Sequence, residues 1–485
     1  TRLFGAIARQ NISVIMISQC SSEHSICFAV QPGRSDEAKK AIEEEFTLEI
    51  HANFIDTIVI ERNHSIIAVV GENMHRTPGV AGKLFSALGN NGVNVEAIAQ
   101  GSSELNITCA VEQQQEAKAL NVIHDAFFLS HYKTLHLFVV GTGLIGGTLL
   151  SLIQKQYQHL LEEYSLDIRV SGLANSRKML FFPRGISLDE WKKLLDASSR
   201  RMQIDAFVET VNQINLNNSV FVDCTASAEV AECYADFLKA NVSVVTPNKK
   251  ANSGPFEKYT QLRKLARKLG VNFLYETNVG AGLPIISTIR DLLRSGDSIL
   301  EIQGVLSGTL SYLFNTFDGK EPFSEVVAKA QKLGFTEPDP REDLNGMDVM
   351  RKLLILVRES GYRLELEEIE LQPFLPQDCF EANSIAEFYK KLENQDAQMT
   401  KRIQQAQEEG QKLRMIASYR QNKATIALEA VGPKHPFYHL EGSDNILALT
   451  TKRYSANPMV IKGQGAGAEV TAGEVFADII RLGRQ

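Results

Sequence analysis

The sequence is sparing in the residues that staple or anchor a protein. Six cysteines, at 20, 27, 109, 224, 233 and 379, are scattered over 485 residues without a Cys-x-x-Cys pair. That usage excludes a disulfide scaffold and a zinc knuckle and fits a reducing compartment. No apolar run reaches the roughly 20 residues needed to cross a membrane, so a membrane is not expected as a partner. Cations never gather into a stripe and the formal charge is −7, so nucleic acid is not expected either. An initiating methionine is missing as well. Thr1-Arg2-Leu3-Phe4 already reads as helix, and on this reading the natural N-terminus, with any targeting peptide, lies outside the sequence.

What is present allows about two to four domains and begins with a repeat. LFGAIARQNISVIMISQCSSEHSICFAV (3–30) and LFSALGNNGVNVEAIAQGSSELNITCAV (84–111) align without a gap at an offset of 81. Each reads as helix, alternating strand, polar turn and strand. Each is followed by a further helix, SDEAKKAIEEEF (35–46) or QEAKALNVIHDAFF (115–128). A strand and turn, SIIAVVGENMHRTPGVAG (65–82), precede the second copy. The first lacks that strand, as if cut inside the module. The modules are set at 1–64 and 65–130.

The texture then changes. KTLHLFVVGTGLIGGTLLSLI (133–153) reads as strand, glycine turn and helix, with Gly141, Gly143 and Gly146 in the G-x-G-x-x-G pattern. The first two glycines let the backbone turn and approach a pyrophosphate, and the third lets helix pack on strand. The helix start, with Leu144 and Ile145, then presents unpaired N–H groups to phosphate. A dinucleotide cofactor is expected. In the next strand, DIRVSGLA (167–174), Asp167 stands at the wrong edge to serve a ribose. The far end reads Asn175-Ser176-Arg177-Lys178, and a cation such as Arg177 suits a 2′-phosphate, favouring NADP(H) over NAD. SVFVDCT (219–225) and NVSVVTPNKKANSG (241–254) flank a helical segment, placing Thr225 and Lys249 just past strand ends, where open α/β sheets bind ligands. Beyond 284 no nucleotide signature appears, and SILEIQGVLSGTLSYLFNTF (298–317), MIASYR and TIALEAV suggest an α+β domain. RLELEEIEL and KKLENQDAQMTKRIQQAQEEG read as solvated helices.

One stretch concentrates charge. TEPDPREDLNGMDVMRK (336–352) holds five carboxylates and three cations directly ahead of LLILV. Pro338 and Pro340 exclude a helix where they stand. A helix is expected from near Asp343, with Asn345, Asp348 and Lys352 on one face. A polar face ahead of a buried turn points to a cleft, where lysine and aspartate can position a small charged substrate and move a proton. No histidine is present and the order of acids does not match an EF-hand loop, so a divalent metal is not expected.

These motifs resemble two families. RTPGVAGKLFSAL and the twin Gln-x-Ser-Ser-Glu are similar to the tandem ACT domains of aspartokinases, which implies ferredoxin-like βαββαβ modules and an amino-acid effector, threonine by that likeness. It would be contacted by Gln19 and Gln100, although each glutamine could equally do no more than bond a strand end. Residues 134–485 resemble homoserine dehydrogenase through KLGFTEPDPREDLNGMDVMRK, TPNKKA, VGAGLPII, LSGTLSYLF and GQGAGAEVTAGEVFADII. The resemblance implies a Rossmann domain over 134–283 joined by 456–485, and a catalytic and dimerisation domain over 284–455. It implies NADP(H)-linked interconversion of L-aspartate 4-semialdehyde and L-homoserine. Lys352 is then the proton-transfer residue with Asp348 beside it. Glu337 and Asp343 hold the substrate amino acid, Lys249 contacts substrate or cofactor, and Gly467 contacts the cofactor. A monovalent cation, Na+ or K+, is implied near Glu276, Val279, Ala281 and Leu283. A homodimer or homotetramer is implied too, with aspartokinase activity in a full-length parent and a place in the cytoplasm, or in the plastid of a plant. Two other readings stand beside it. One is aspartate-semialdehyde dehydrogenase, with Cys224 as nucleophile; the other is a non-catalytic amino-acid-sensing ACT/Rossmann regulator.

Overall fold

Short apolar runs punctuated by glycine, proline and asparagine become strands, and among the described residues these form four sheets. The computed structural model describes residues 2–19, 25–71, 74, 77–101, 105–128 and 132–483. The chain forms two units, Thr1–Lys133 with Asn215–Asn217, and Thr134–Ile214 with Asn218–Gln485.

In the first unit the helix Arg2–Arg9 leads into antiparallel β1 (Val14–Gln19) and β2 (Ile26–Val30), then the helix Ser35–Glu45. The second copy supplies the first five elements of the βαββαβ order: β3 (His64–Val70), the helix Val80–Asn90, β4 (Ala97–Ala99), β5 (Asn106–Glu112) and the helix Glu116–Phe128. Its antiparallel sheet runs β3-β5-β4 over a core of Ile67, Leu84, Leu88, Ile107 and Val111. β1 lies against β4. Gln19 ends β1 and Gln100 directly follows β4, so the two exposed glutamines hold equivalent places in the repeat. The Ser-Ser-Glu after each glutamine (21–23 and 102–104), and Arg76 of the turn signature, lie outside the described residues.

The second unit opens with β6 (Lys133–Val140), β7 (Leu166–Ala174), β8 (Met179–Phe181), β9 (Ser219–Asp223), β10 (Ser243–Val245) and β11 (Phe273–Leu274), in sheet order β11-β10-β9-β6-β7-β8. β9 is parallel to β6 and β10, and β10 to β11, while β8 turns back antiparallel on β7. The chain builds outward from β6 to β8, then restarts on the other side with β9. The crevice between β6 and β9 is therefore a topological switch point, where such sheets take ligands. Asp167 is bonded by Thr134 at the start of β6, the edge away from the glycine turn.

A second, mixed sheet is made of β12 (Ile299–Val305), β13 (Ile369–Leu371), β14 (Lys412–Arg420), β15 (Lys423–Val431), β16 (Asp444–Thr451) and β17 (Met459–Gln464), in order β13-β15-β14-β12-β16-β17. Two sequence expectations differ here. RLELEEIEL is not a solvated helix: it forms a 3₁₀ turn at Leu366–Glu368 and then the edge strand β13, parallel to β15. Glu365 caps that turn, and the Ile-Glu-Leu alternation suits an edge strand better than a helix. The return expected at 456 falls ahead of β17, whose pairing with β16 keeps the chain in the second sheet through Gln464. Only the helix Ala468–Gly483 crosses back, where Ala472, Val475, Ile479 and Leu482 join Leu137, Leu149 and Val170 in the core of the nucleotide layer.

One helix, Met347–Glu359, ties the two layers together, with Leu353 through Val357 wholly buried. At its end the fully buried Glu359 carboxylate accepts from Tyr259 Oη (2.7 Å), Tyr275 Oη (2.6 Å), Arg263 Nη1 (2.9 Å) and Arg290 Nε (2.8 Å). Burial alone would neutralise this acid; the two guanidiniums and the Tyr275 phenol outweigh it and hold the carboxyl below its ordinary value. Removing one member of such a set strands buried charge. Glu359→Ala is expected to lose about 3–5 kcal/mol of stability in urea unfolding, and Glu359→Gln, which keeps one acceptor, to lose less.

Candidate functional site

The glycine turn after β6 is shaped by contacts that leave no room for side chains. Gly141 is left-handed (φ 93°), and a Cβ there would stand 2.8 Å from the Cys224 carbonyl carbon and from Thr225 Cγ2. At Gly146 a Cβ would come within 1.9 Å of the Gly141 carbonyl oxygen. Gly143 differs: its φ is −73° and its Cβ position is open, with nothing within 4 Å. In front of the helix Leu144–Tyr164 there is thus free space. The helix has no acid in its first turn, and Leu144 is exposed while Ile145 packs on the core. A pyrophosphate fits a bare helix start of this kind. Gly141 N donates to the Ala174 carbonyl (2.9 Å), so the end of β7 adjoins the turn. There Asn175 Oδ1 accepts from the amides of Arg177 and Lys178, both at 2.8 Å. Lys178 spends its ammonium on the Asp196 carbonyl, whereas Arg177 is exposed.

Past β9, the amide of Thr225 donates to Asp223 Oδ1 (2.7 Å), and Asp223 Oδ2 accepts from Tyr234 Oη (2.6 Å) and Asn248 Nδ2 (2.9 Å). Asn248 N also donates to Thr246 Oγ1 (2.9 Å). This buried network fixes the segment after β10, and with it Lys249. Cys224 lies in the same place, but burial and the neighbouring Asp223 push its thiol well up. A thiol nucleophile needs the opposite, so the reading that relied on Cys224 loses its footing.

Lys249, Asp348 and Lys352 come together. Asp348 Oδ1 pairs with Lys249 Nζ at 3.2 Å, and Oδ2 with Lys352 Nζ at 2.8 Å. Lys352, buried, also donates to the Leu306 carbonyl at 2.7 Å. Enclosure works against ionisation of Asp348, yet the two ammonium groups hold its carboxyl far below the usual carboxylate range. Burial lowers Lys249 from its ordinary value, with Asp348 opposing and Lys352 reinforcing. Asp343 accepts from Thr309 Oγ1 (2.9 Å) and from the Glu337 amide (2.8 Å). Glu337 is raised by burial and by Asp343, Glu342 and Asp348, with Lys249 opposing, so these acids share one field with the lysines. Asn345 does not share the helix face as expected. Gly346 is left-handed (φ 73°) and ends the short helix Arg341–Leu344, and the long helix starts at Met347. Asn345 instead accepts from the Met347 amide (2.8 Å).

Three participants carry no sign in the sequence beyond the quoted LSGT: the Leu306 carbonyl, Thr309 and Asn445. Asn445 Nδ2 donates to the same Leu306 oxygen at 3.2 Å, and Gly465 packs so close that a Cβ would stand 2.1 Å from its Cγ. The C-terminal glycine loop, with Gly467 at φ 122°, is thereby brought beside the Lys352 anchor.

The segment with Glu276, Val279, Ala281 and Leu283 is a separate feature. Gly280 and Ala281 are both left-handed (φ 78° and 50°), an unusual state for alanine. Among the described residues nothing donates to the buried carbonyls of Val279 and Ala281. Glu276 accepts from the Ser287 amide (2.9 Å), and burial with Asp478 and Glu474 raises its carboxyl to about 7. Orphaned carbonyls beside an acid suit an oxygen-liganded cation.

The glycines should separate in their effects. Gly146→Ala is expected to lower the unfolding temperature. Gly143→Ala is expected to leave it unchanged and to weaken dinucleotide binding, read by fluorescence titration.

Residues 284–480 match the family profile for homoserine dehydrogenase, 141–276 that for the homoserine dehydrogenase NAD binding domain, and 1–46 with 67–127 that for the ACT domain. The chain is 46% identical over 483 residues to bifunctional aspartokinase/homoserine dehydrogenase 1, chloroplastic, of Arabidopsis thaliana, an alignment covering 99% of this chain and 53% of that protein. It thus spans about half the length of the curated relatives it matches. Among solved structures, a Candida auris protein of unknown function is 33% identical with a TM-score of 0.67, covering 73% of this chain and 99% of that one. A hyperthermophilic archaeal homoserine dehydrogenase mutant in complex with NADPH superposes at a TM-score of 0.57 with 22% identity, over 72% and 98% of the two chains, a likeness of fold. Two homoserine dehydrogenase profiles that follow one another over most of the chain, behind an ACT profile, and a relative alike along almost the whole chain place the protein in the homoserine dehydrogenase family, with ACT modules ahead of the dehydrogenase.

Proposed function

We propose that the chain catalyses the NADP(H)-linked interconversion of L-aspartate 4-semialdehyde and L-homoserine. The observation that carries this reading is the carboxylate of Asp348 held between Lys249 and Lys352, with Lys352 also bound to the Leu306 carbonyl. When bound, the nicotinamide supplies or accepts the hydride. In the reducing direction Lys352 gives a proton to the aldehyde oxygen as negative charge develops there. Asp348 and Leu306 aim its N–H bonds, so the lysine need not reorient at that moment. Lys249 brings a second positive charge to the same field, suited to a substrate carboxylate or to the cofactor. Glu337 and Asp343 take the substrate ammonium group.

Arg177 at the end of β7 supports NADP(H) over NAD through a 2′-phosphate. Gly141, Gly143, Leu144, Ile145, Gly146, Thr225 and Gly467 line the cofactor's path, and Na+ or K+ lies at Glu276, Val279, Ala281 and Leu283. Threonine is the effector, with Gln19 and Gln100 in the repeat as its contacts. A homodimer or homotetramer and a kinase portion in a longer parent follow from the same family likeness. So does a place in the cytoplasm, or in a plastid as for the chloroplastic relative. No described helix is long and apolar enough to cross a membrane.

NADPH consumption with aspartate 4-semialdehyde is the direct assay. Lys352→Ala is expected to lose at least about 100-fold in turnover, while Cys224→Ser keeps full activity; undiminished turnover without Lys352 would sink the proposal. Because burial draws Lys249 below an ordinary lysine, its charge is present at low pH and lost as pH rises through that lowered value. The KM for the amino-acid substrate should therefore climb on the alkaline side, and Lys249→Arg should abolish the climb.

Glu276 tests the cation. Its carboxyl, raised from 4.5 to about 7, contributes stability that is fully present below pH 4.5 and lost as pH rises through 7. A cation beside it offsets that loss. KCl or NaCl should raise the unfolding temperature more at pH 8 than at pH 6, relative to choline chloride, and equal shifts at both would count against the site.

A further inference from the structure

Arg358, near the end of the helix that begins with Met347 and Asp348, has no part in the reading above. It is 2% exposed. Nη1 donates to the carbonyls of Asn252 (2.9 Å) and Gly254 (2.6 Å), Nε to that of Leu364 (3.0 Å), and Nη2 to Glu365 Oε2 (2.8 Å). Glu365 also accepts from the Phe256 amide at 3.1 Å. The carbonyls of Asn252 and Gly254 belong to the short turn Lys250–Ser253 and the residue after it, and Lys249 caps that turn. Asn252 N and Ser253 N donate to the Lys249 carbonyl, at 3.1 and 2.8 Å.

One helix therefore grips the Lys249 segment twice. Asp348, in its first turn, takes the ammonium group, and Arg358, roughly 15 Å further along the axis, takes the backbone. A planar fork reaches carbonyls spread over several directions from three nitrogens, whereas a lysine gathers its three donors on one atom. Three of the four partners of this buried cation are neutral carbonyls, a costly arrangement if stability were its only role, since apolar side chains of similar volume often do as well.

We infer that Arg358 is a positioning residue: through the carbonyls of Asn252 and Gly254 it sets Lys249 against Asp348, and so against the substrate. The inference rests on the dehydrogenase reading above, and a double-mutant cycle on the full chain tests it. With Arg358→Lys, kcat/KM should fall about 10- to 100-fold, mainly through the KM for the amino-acid substrate and not that for the dinucleotide. In a Lys249→Met background the same change should bring no further loss, because its route of action is already gone. Losses that multiply across the cycle, or wild-type kinetics in a folded Arg358→Lys protein, would overturn the inference. Should Arg358→Lys fail to fold by circular dichroism, Glu365→Gln leaves the guanidinium in place and serves in the same cycle, with a smaller loss and the same non-additivity. A wild-type chain without turnover, or Lys249→Met at full activity, would overturn the underlying reading and this inference with it; multiplicative losses overturn this inference alone.

Discussion

The carboxylate of Glu359 gathers two guanidinium groups and two phenols from three separate segments, two of them in the nucleotide layer. It stands at the end of the helix whose first turns carry Asp348 and Lys352, so fixing it fixes the angle at which that helix enters the site. The interaction is strongly directional because each oxygen is claimed by named donors in a dry environment, where an unmet partner is costly. Apolar packing along Leu353 to Val357 supplies cohesion without register. The ionic knot supplies the register, and Asp348 and Lys352 at the far end of the helix are held at a set place between the two layers.

At the other end of the helix the electrostatics are close to balanced. Two ammonium groups, Lys249 and Lys352, face Asp348, with Asp343 and Glu337 nearby, and neither sign accumulates there. Asp348 stays ionised because both its oxygens are held by cations. A zwitterionic amino acid suits this surface, since each of its charges finds an opposite. The Leu306 carbonyl adds a fixed dipole to Lys352, and Asn445 secures that carbonyl from behind.

Much of this was legible in the sequence, for reasons that can be named. Gly141 and Gly146 of the first turn are dictated by contacts of under 3 Å with backbone, so only glycine could be written at those two places. Pairs such as Asp348 and Lys352 declare themselves because four residues of helix always bring side chains together. Asn345 misled for a local reason: a periodic argument assumes an unbroken helix, and Gly346 breaks it by adopting a left-handed conformation available to few other residues. Charge-rich RLELEEIEL reads as a solvated helix by composition, and pairing with β15, a residue range far away, makes its end an edge strand. Partners brought in by tertiary folding leave no local trace. Thr309 with Asp343, Arg358 with Asn252 and Gly254, and Glu359 with its four donors are of this kind. Their sequence separations are long and their residue types are common on any surface.

The helix Ala468–Gly483 has a bearing on how the protein is made. It fills one side of the nucleotide layer, yet it is translated only after the whole of the second sheet. During synthesis the strands β6 to β11 and the helix Leu144–Tyr164 emerge with that side bare, exposing Leu137, Leu149 and Val170 until the second sheet has been built and the chain returns. Domains ordinarily complete themselves in the order they leave the ribosome. Here the first to start is the last to close, and for that interval the nascent chain presents an apolar face suited to chaperones.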